Sequence, residues 1–308
     1  MSAPCAPLPA TLLASGMGEN RLMAEISTRA GVLTARPVAA LTSEQAAEAM
    51  TRAFEGYVVP VAMDGPGFER RFGAEHLDRY LSEVYTAGDE LAGVCLITRR
   101  GATARIAAFG CTPAYRGMGV GRALMERAVI CCLEAGATRL TLEVITTNAA
   151  AVRLYERLGF RIARTLVGYR WDRPAAAGRP LRTAPAEIDP ARFARRVAAG
   201  LSAAAEPPWQ LAPETLAAAG PPRRAYALGP AAALVSATDT AAVLSAVHTD
   251  PAGRRQGHAR ALLASLREAF PGRRWTVPPL VPAADGAEFF HATGWVREDL
   301  AQYEMVHG

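Results

Sequence analysis

The sequence predicts an α/β fold built twice along one chain. Three observations carry this. Strand-like alternation and helical periodicity take turns along the sequence. A Gly-rich turn, Arg116-Gly117-Met118-Gly119-Val120-Gly121, leads from strand-like into helix-like sequence. A similar segment, Arg254-Arg255-Gln256-Gly257-His258-Ala259, begins 138 residues later, and Gly294-Trp295 lies 135 residues after Gly159-Phe160. Two landmarks at nearly one spacing indicate a tandem duplication.

The elements follow in order. Residues 42–54 read as a helix with Ser43 near its start, and 74–80 as a second short helix. Residues 83–87 and 91–98 read as strands around the turn Gly88-Asp89-Glu90, and 105–111 as another. After the Gly-rich turn, Val120, Leu124, Ala128 and Cys132 recur every four residues. This marks an amphipathic helix that ends at Gly136. Residues 140–144 alternate as a strand, 149–158 form a helix stopped by Gly159, and 162–171 return to strand. The second copy repeats this order: helices over 191–201 and 213–219, strands over 224–228, 231–237 and 241–247, a helix over 257–270, a strand over 274–277 and a helix over 285–292.

The 308 residues suit two domains of about 150 residues each. The Ala- and Pro-rich stretch 174–190 is the natural boundary, giving domains over 31–173 and 174–308. Residues 1–30 are expected to be a disordered tail, or to include an overextended start with initiation at Met23. There is no basic residue before Arg21 and no long apolar run, so no signal peptide is expected.

Composition excludes several chemistries. The 34 basic residues are all Arg. Without Lys the chain cannot run a Walker-type P-loop, a protein-kinase site or a Schiff base. The five cysteines are odd in number and fit no disulfide framework, which points to a reduced cytoplasm. The five histidines are scattered, with no HExxH or CxxC spacing, so no metal is expected. No stretch approaches the roughly 18 apolar residues of a membrane span. The net charge of +5 comes from Arg interleaved with acids, which argues against nucleic-acid binding.

A strand feeding a Gly-rich turn at a helix start is an anion site. Glycines let backbone N–H groups approach a ligand, and the helix N-terminus adds its own unpaired donors. The spacing Gly117-x-Gly119-x-Gly121 is not the dinucleotide fingerprint. The same turn without a ligand is the plain structural alternative. The surrounding residues decide more. Cys111-Thr112-Pro113-Ala114-Tyr115-Arg116, the turn itself and Arg122, Leu142-Glu143-Val144, Asn148, Ala151, Leu154-Tyr155 and Gly159-Phe160 together resemble the GNAT superfamily of acetyl-CoA-dependent N-acetyltransferases.

That resemblance implies tandem GNAT-like domains, each a mixed, mostly antiparallel sheet flanked by helices. Two separate sheets, split near residue 174, are expected, each with a gap between its fourth and fifth strands. Acetyl-CoA is the implied cosubstrate. Gly117, Met118, Gly119, Val120, Gly121 and Arg122, with Arg116, fall on the pyrophosphate loop. The backbone of Phe109, Gly110 and Cys111 falls where the family binds the pantetheine arm and polarises the thioester. Within the family, residues 142–160 look most like the ribosomal-protein alanine acetyltransferases, whose pattern places a base at Glu143 and an acid at Tyr155. Asn148 holds the pantetheine or caps the helix.

Each residue also has a plainer reading. Glu143 is equally a polar residue on the solvent side of its strand, and Tyr155 a packed aromatic. Phe54, Tyr57, Asp64 and Glu69 line an acceptor cleft or simply pack a helix end. In the second copy, counting back from Gly294 sets Phe290 against Tyr155 and Ala283 against Asn148. A Phe has no proton to give, so this copy is expected to be catalytically silent. Tandem copies are similar in architecture to mycothiol synthase, where the intact copy is the second. The implied partners are acetyl-CoA and an amine acceptor, small molecule or peptide, in a monomer or homodimer. A non-catalytic acyl-CoA-binding regulator is the alternative.

Overall fold

The computed structural model describes residues 23–171, 184–202, 206–284 and 286–308. Strands β1 (Ala24–Thr28) and β2 (Gly31–Pro37) form an antiparallel hairpin. The expected tail therefore reaches too far. Ile26 pairs with Leu33 across the hairpin and both are buried, so core burial orders the chain from Ala24. Residues 1–22 lie outside the described residues.

Helix α1 (Ser43–Ala53) starts with a capping box between Thr42 and Gln45. It buries Ala46, Ala47, Met50 and Ala53. The helix expected over 74–80 does not form. Helicity comes earlier, in α2 (Gly65–Phe68) and a wide π-turn over Glu69–Gly73. Asp64 caps α2 and Phe68 and Phe72 sink into the core. His76 takes a left-handed conformation, φ 63°, and Leu77 bridges Thr98 of the sheet.

Strands β3 (Glu83–Ala87), β4 (Glu90–Arg100) and β5 (Thr103–Cys111) follow as an antiparallel meander. Helix α3 (Val120–Glu134) buries the predicted stripe Val120, Leu124, Ala128 and Cys132. Then come β6 (Arg139–Ile145), α4 (Ala149–Arg157) and β7 (Arg161–Trp171). The second half contains β8 (Ala186–Ile188), α5 (Pro190–Gly200), α6 (Pro213–Ala217), β9 (Arg223–Leu228), β10 (Ala231–Ala237) and β11 (Ala241–Thr249). It closes with α7 (His258–Ala269), β12 (Arg274–Pro282), α8 (Ala287–Ala292) and β13 (Trp295–His307). The boundary expected near residue 174 lies outside the described residues.

Each half is a mixed, mostly antiparallel sheet flanked by helices, but the halves do not form two sheets. Their strands join into one 13-stranded sheet, ordered β1-β2-β3-β4-β5-β6-β13-β7-β12-β11-β10-β9-β8. The last strand of each half crosses over. Strand β13 pairs with β6 of the first half, and β7 pairs with β12 of the second. The two exchanged strands also pair with each other, from Trp295↔Trp171 to Val306↔Arg161. The physical reason is the free edge that β6 and β12 would otherwise present. An edge strand leaves a row of unpaired N–H and C=O groups, and the exchange covers both edges at once. It also brings the two halves' chemistry to one seam.

Candidate active site

The site begins with a strand pair that separates. Strands β5 and β6 run parallel and pair only from Thr103↔Arg139 to Ile106↔Leu142. On its other side β5 stays paired to β4 as far as Cys111↔Gly93, with one extra residue, Ala107, between Ile106↔Ile97 and Ala108↔Leu96. A bulge bends its strand, and here it falls where the β5–β6 pairing stops. Beyond it, the backbone of Ala107–Cys111 faces a gap rather than a neighbouring strand. Glycine is required for the close packing behind the gap. A Cβ on Gly110 would lie 3.0 Å from the Ala53 carbonyl oxygen, and one on Gly93 only 2.7 Å from that of Gly110.

The gap opens into a cavity of about 1270 Å³. Phe109, Gly110, Cys111, Glu143, Asn148 and Tyr155 all line it, as do Gly117 and Gly121 from the Gly-rich turn. The turn reaches the helix through two left-handed residues, Gly117 (φ 76°) and Gly119 (φ 79°), with Gly119 as the N-cap of α3. The first-turn amides of a helix have no intrahelical partner and carry the positive end of its dipole. Val120 is fully buried, while Met118 is exposed. Arg122 is exposed and bonds Glu126 at 2.8 Å.

Arg116 braces the turn from within. Its guanidinium donates to the carbonyls of Cys111 (2.9 Å), Ala53 (3.3 Å) and Glu55 (2.6 Å). It therefore ties the turn to the end of α1 through Nε and one terminal nitrogen, while lining the cavity. The second half repeats the device, since Arg254 donates to the carbonyls of Thr249 and Gly200.

Tyr155 is buried against Phe160 yet lines the cavity. Burial pushes its phenol well above the ordinary range, with Tyr57, Cys95 and Cys111 adding to the effect. It therefore carries its proton at neutral pH. Asn148 caps α4 by accepting from the Ala151 amide at 3.2 Å, and its side chain lowers the Tyr57 pKa against the rise caused by burial. The cap thus stands on the cavity wall. Tyr57 and Phe54 line the cavity too, edge to face at 5.3 Å. Asp64 and Glu69 do not reach it: Asp64 caps α2, and Glu69 bonds Ser43 and Arg79. The Cys111 thiol is pushed up to about 11 by burial, which leaves it a poor nucleophile.

Glu143 is neither solvent-facing nor alone. Its carboxylate binds Arg105 at 2.7 Å, and Arg105 binds Glu75 at 2.7 Å, with all three side chains buried. Burial alone would lower the Arg105 pKa, but the two carboxylates more than reverse this and raise it. Sequence reasoning missed this triad. The signal was Arg105 itself, a lone charge within the otherwise apolar run Ile106-Ala107-Ala108-Phe109 and Ala104 before it.

The second half keeps the same frame. Strands β11 and β12 pair only from Ala241↔Arg274 to Val243↔Thr276, and Ser245 is the extra residue of its bulge, 138 residues after Ala107. Arg255 even holds the left-handed conformation of Gly117, at φ 62°. The chemistry is changed. His248 stands where Gly110 does, and Phe290 stacks on Tyr169 at 4.4 Å. The counterpart of Asn148 also differs from the expected Ala283. Helix α8 is shorter than α4, and the residue at its N-cap is Gly286, which has no side chain to cap with. Among the described residues no helix is long and apolar enough to cross a membrane, and no group of three His, Cys, Asp or Glu is placed to hold a metal.

Comparison with known proteins agrees with this geometry. Residues 45–160 match the Acetyltransferase (GNAT) family. A 98-residue stretch is 34% identical to the [ribosomal protein bS18]-alanine N-acetyltransferase of Escherichia coli strain K12, covering 32% of this chain and 66% of that protein. The chain thus spans just under two thirds of that relative. The streptothricin acetyltransferase of Streptomyces lavendulae is 36% identical over 108 residues, 33% of this chain and 57% of that one. A tandem GNAT protein from the clavulanic acid biosynthesis pathway shares the fold over 89% of this chain and 98% of its own, with a TM-score of 0.62 at 19% identity.

Proposed function

We propose that this chain, which belongs to the acetyltransferase (GNAT) family through residues 45–160, moves the acetyl group of acetyl-CoA to a primary amine, with the two substrates bound together. One observation carries the reading. The gap between β5 and β6 has a Gly-turn helix start at its mouth and a protonated Tyr155 on its wall. Acetyl-CoA supplies the activated thioester. The amides at the start of α3, with Gly117 to Gly121, hold the pyrophosphate. The backbone of Phe109, Gly110 and Cys111 takes the pantetheine arm and orients the carbonyl.

The amine nitrogen forms the new C–N bond as the C–S bond breaks. Tyr155 gives its proton to the departing sulfur and regains one from solvent. Glu143, paired with Arg105, draws the amine in and receives its proton through water rather than by direct contact. The locked Glu143 is also the one feature that favours the alternative, acyl-CoA binding without turnover. The second half lacks the acid and contributes walls rather than chemistry.

The pyrophosphate assignment is tested by Gly121→Glu. A Cβ at Gly121 meets only Cys111 and Phe109, both at 3.6 Å, and Ala259 occupies the matching position in the second half. The variant should therefore fold. Its acetyl-CoA affinity, measured by calorimetry, should fall at least tenfold, about 1.4 kcal/mol. Unchanged affinity would move the phosphates elsewhere.

The raised Tyr155 pKa sets the pH profile. A phenol is the active donor only below its pKa, and burial moves that limit upward from about 10. The rate should climb as the amine deprotonates and show no falling limb below about pH 10. A falling limb below that pH that vanishes in Tyr155→Phe would contradict the raised Tyr155 pKa.

A further inference from the structure

Beyond the gap, the cavity runs across the seam into the second half, reaching Gln210, Arg223, Ser245 and Leu280. This arm is not adventitious space between loosely joined parts. Trp209 donates its indole N–H to the Glu75 carbonyl at 2.9 Å. Arg100 lies over the Trp209 ring at 4.2 Å and bonds Thr215. A segment of the second half is thereby fixed beside the Glu75–Arg105–Glu143 triad.

The charges in this arm are not paired one to one. Both carboxylates that line it, Glu75 and Glu143, are taken at 2.7 Å by Arg105. Arg71 reaches Glu75 only at 3.9 Å. Arg223 is half-buried, lines the cavity, and has no side-chain hydrogen bond or ion pair among the described residues. Burial lowers its pKa, partly offset by Glu75. An unpaired guanidinium in a desolvated wall is costly unless an anion joins it. The side-chain oxygen of Gln210, another lining residue, is buried with no donor among the described residues. The lining thus holds a guanidinium without a direct anion, an oxygen without a donor, and the Glu143 carboxylate.

We propose that the acceptor carries a carboxylate as well as its amine, and that Arg223 of the second half binds that carboxylate while Glu143 of the first half faces the amine. This rests on the acetyl-transfer reading and names the class of acceptor for it. A guanidinium pairs with a carboxylate through two parallel N–H···O bonds, so it fixes direction as well as charge. Arg223 feels both the Glu75 carboxylate, the larger influence, and the Arg71 guanidinium, and all three line the cavity. The second half, silent in chemistry, becomes the part that selects the substrate.

The test uses the full-length protein loaded with coenzyme A. Glycylglycine, 4-aminobutyrate and 6-aminohexanoate, and the carboxamide of each, are titrated by calorimetry, then assayed for thiol release with acetyl-CoA. At least one acid should bind tenfold or more tightly than its amide. Arg223→Gln should bring that pair to parity with coenzyme A affinity unchanged. Arg71→Gln, on a separate element, should weaken the same acid severalfold and serves if Arg223→Gln does not fold. Equal binding of every acid and its amide, or equal loss of both in Arg223→Gln, would overturn the proposal. Acid-selective binding without thiol release for any probe would keep the anion site and remove the acetyl-transfer reading.

Discussion

Tyr155→Phe is expected to lower turnover by about 10²–10⁴-fold, the usual size of a general-acid effect, with acetyl-CoA affinity within twofold of the parent. The substitution keeps the ring and its contact with Phe160, whose centroid lies 6.1 Å away. The second half shows that the position accepts the change, because Phe290 stands there and is buried. Loss of fold is therefore not the expected cause of loss of rate. The hydroxyl matters because burial keeps it protonated while it faces the cavity. A departing sulfur leaves faster when a positioned donor protonates it, and a phenylalanine has no proton to give. Steady-state kinetics with one good amine would decide the point. A rate within twofold of the parent would return Tyr155 to packing alone.

Arg105→Met should cost about 3–5 kcal/mol of stability, the range seen when one partner of a buried ion pair is removed. The reason is the pair left behind. Glu75 and Glu143 both bind Arg105 at 2.7 Å and both are buried. Without the guanidinium, two carboxylates share one desolvated pocket, and at least one must take up a proton. Denaturant unfolding should show the loss. Glu143→Gln should cost less, about 1.5–3 kcal/mol for a charged hydrogen bond, because Glu75 still neutralises Arg105. Equal stability of Arg105→Met and the parent would mean that the triad is not a fixed part of the site.

Much of this molecule is legible in its sequence, and for identifiable reasons. The Gly-rich turn is legible because left-handed positions call for glycine, and Gly117 and Gly119 occupy them. Helix α3 shows in its four-residue spacing, and the duplication shows in the repeated loop. Three features do not show. The strand exchange is invisible because pairing partners are chosen by edges in space, and nothing local in β7 or β13 names its neighbour. Helix α2 is hidden because Gly and Pro dominate Gly65-Pro66-Gly67, although Asp64 is a good cap. The bracing task of Arg116 is hidden because nothing local shows that its guanidinium also holds carbonyls at the end of α1.

Glu143 marks the boundary between what a motif says and what a structure adds. Its spacing to Asn148 and Tyr155 places it correctly on the cavity wall. Only packing shows that Arg105 and Glu75 stand behind it. A carboxylate so held is fixed in position, so in the proposed reaction the amine proton reaches it through water.

The central claim is that the first half transfers acetyl to an amine, and thiol release from acetyl-CoA over an amine panel tests it most directly. The account predicts release that depends on the amine, matches acetylated product one for one, and nearly vanishes in Tyr155→Phe. Tight acetyl-CoA binding with no amine-dependent release would contradict it and leave a binding protein in its place.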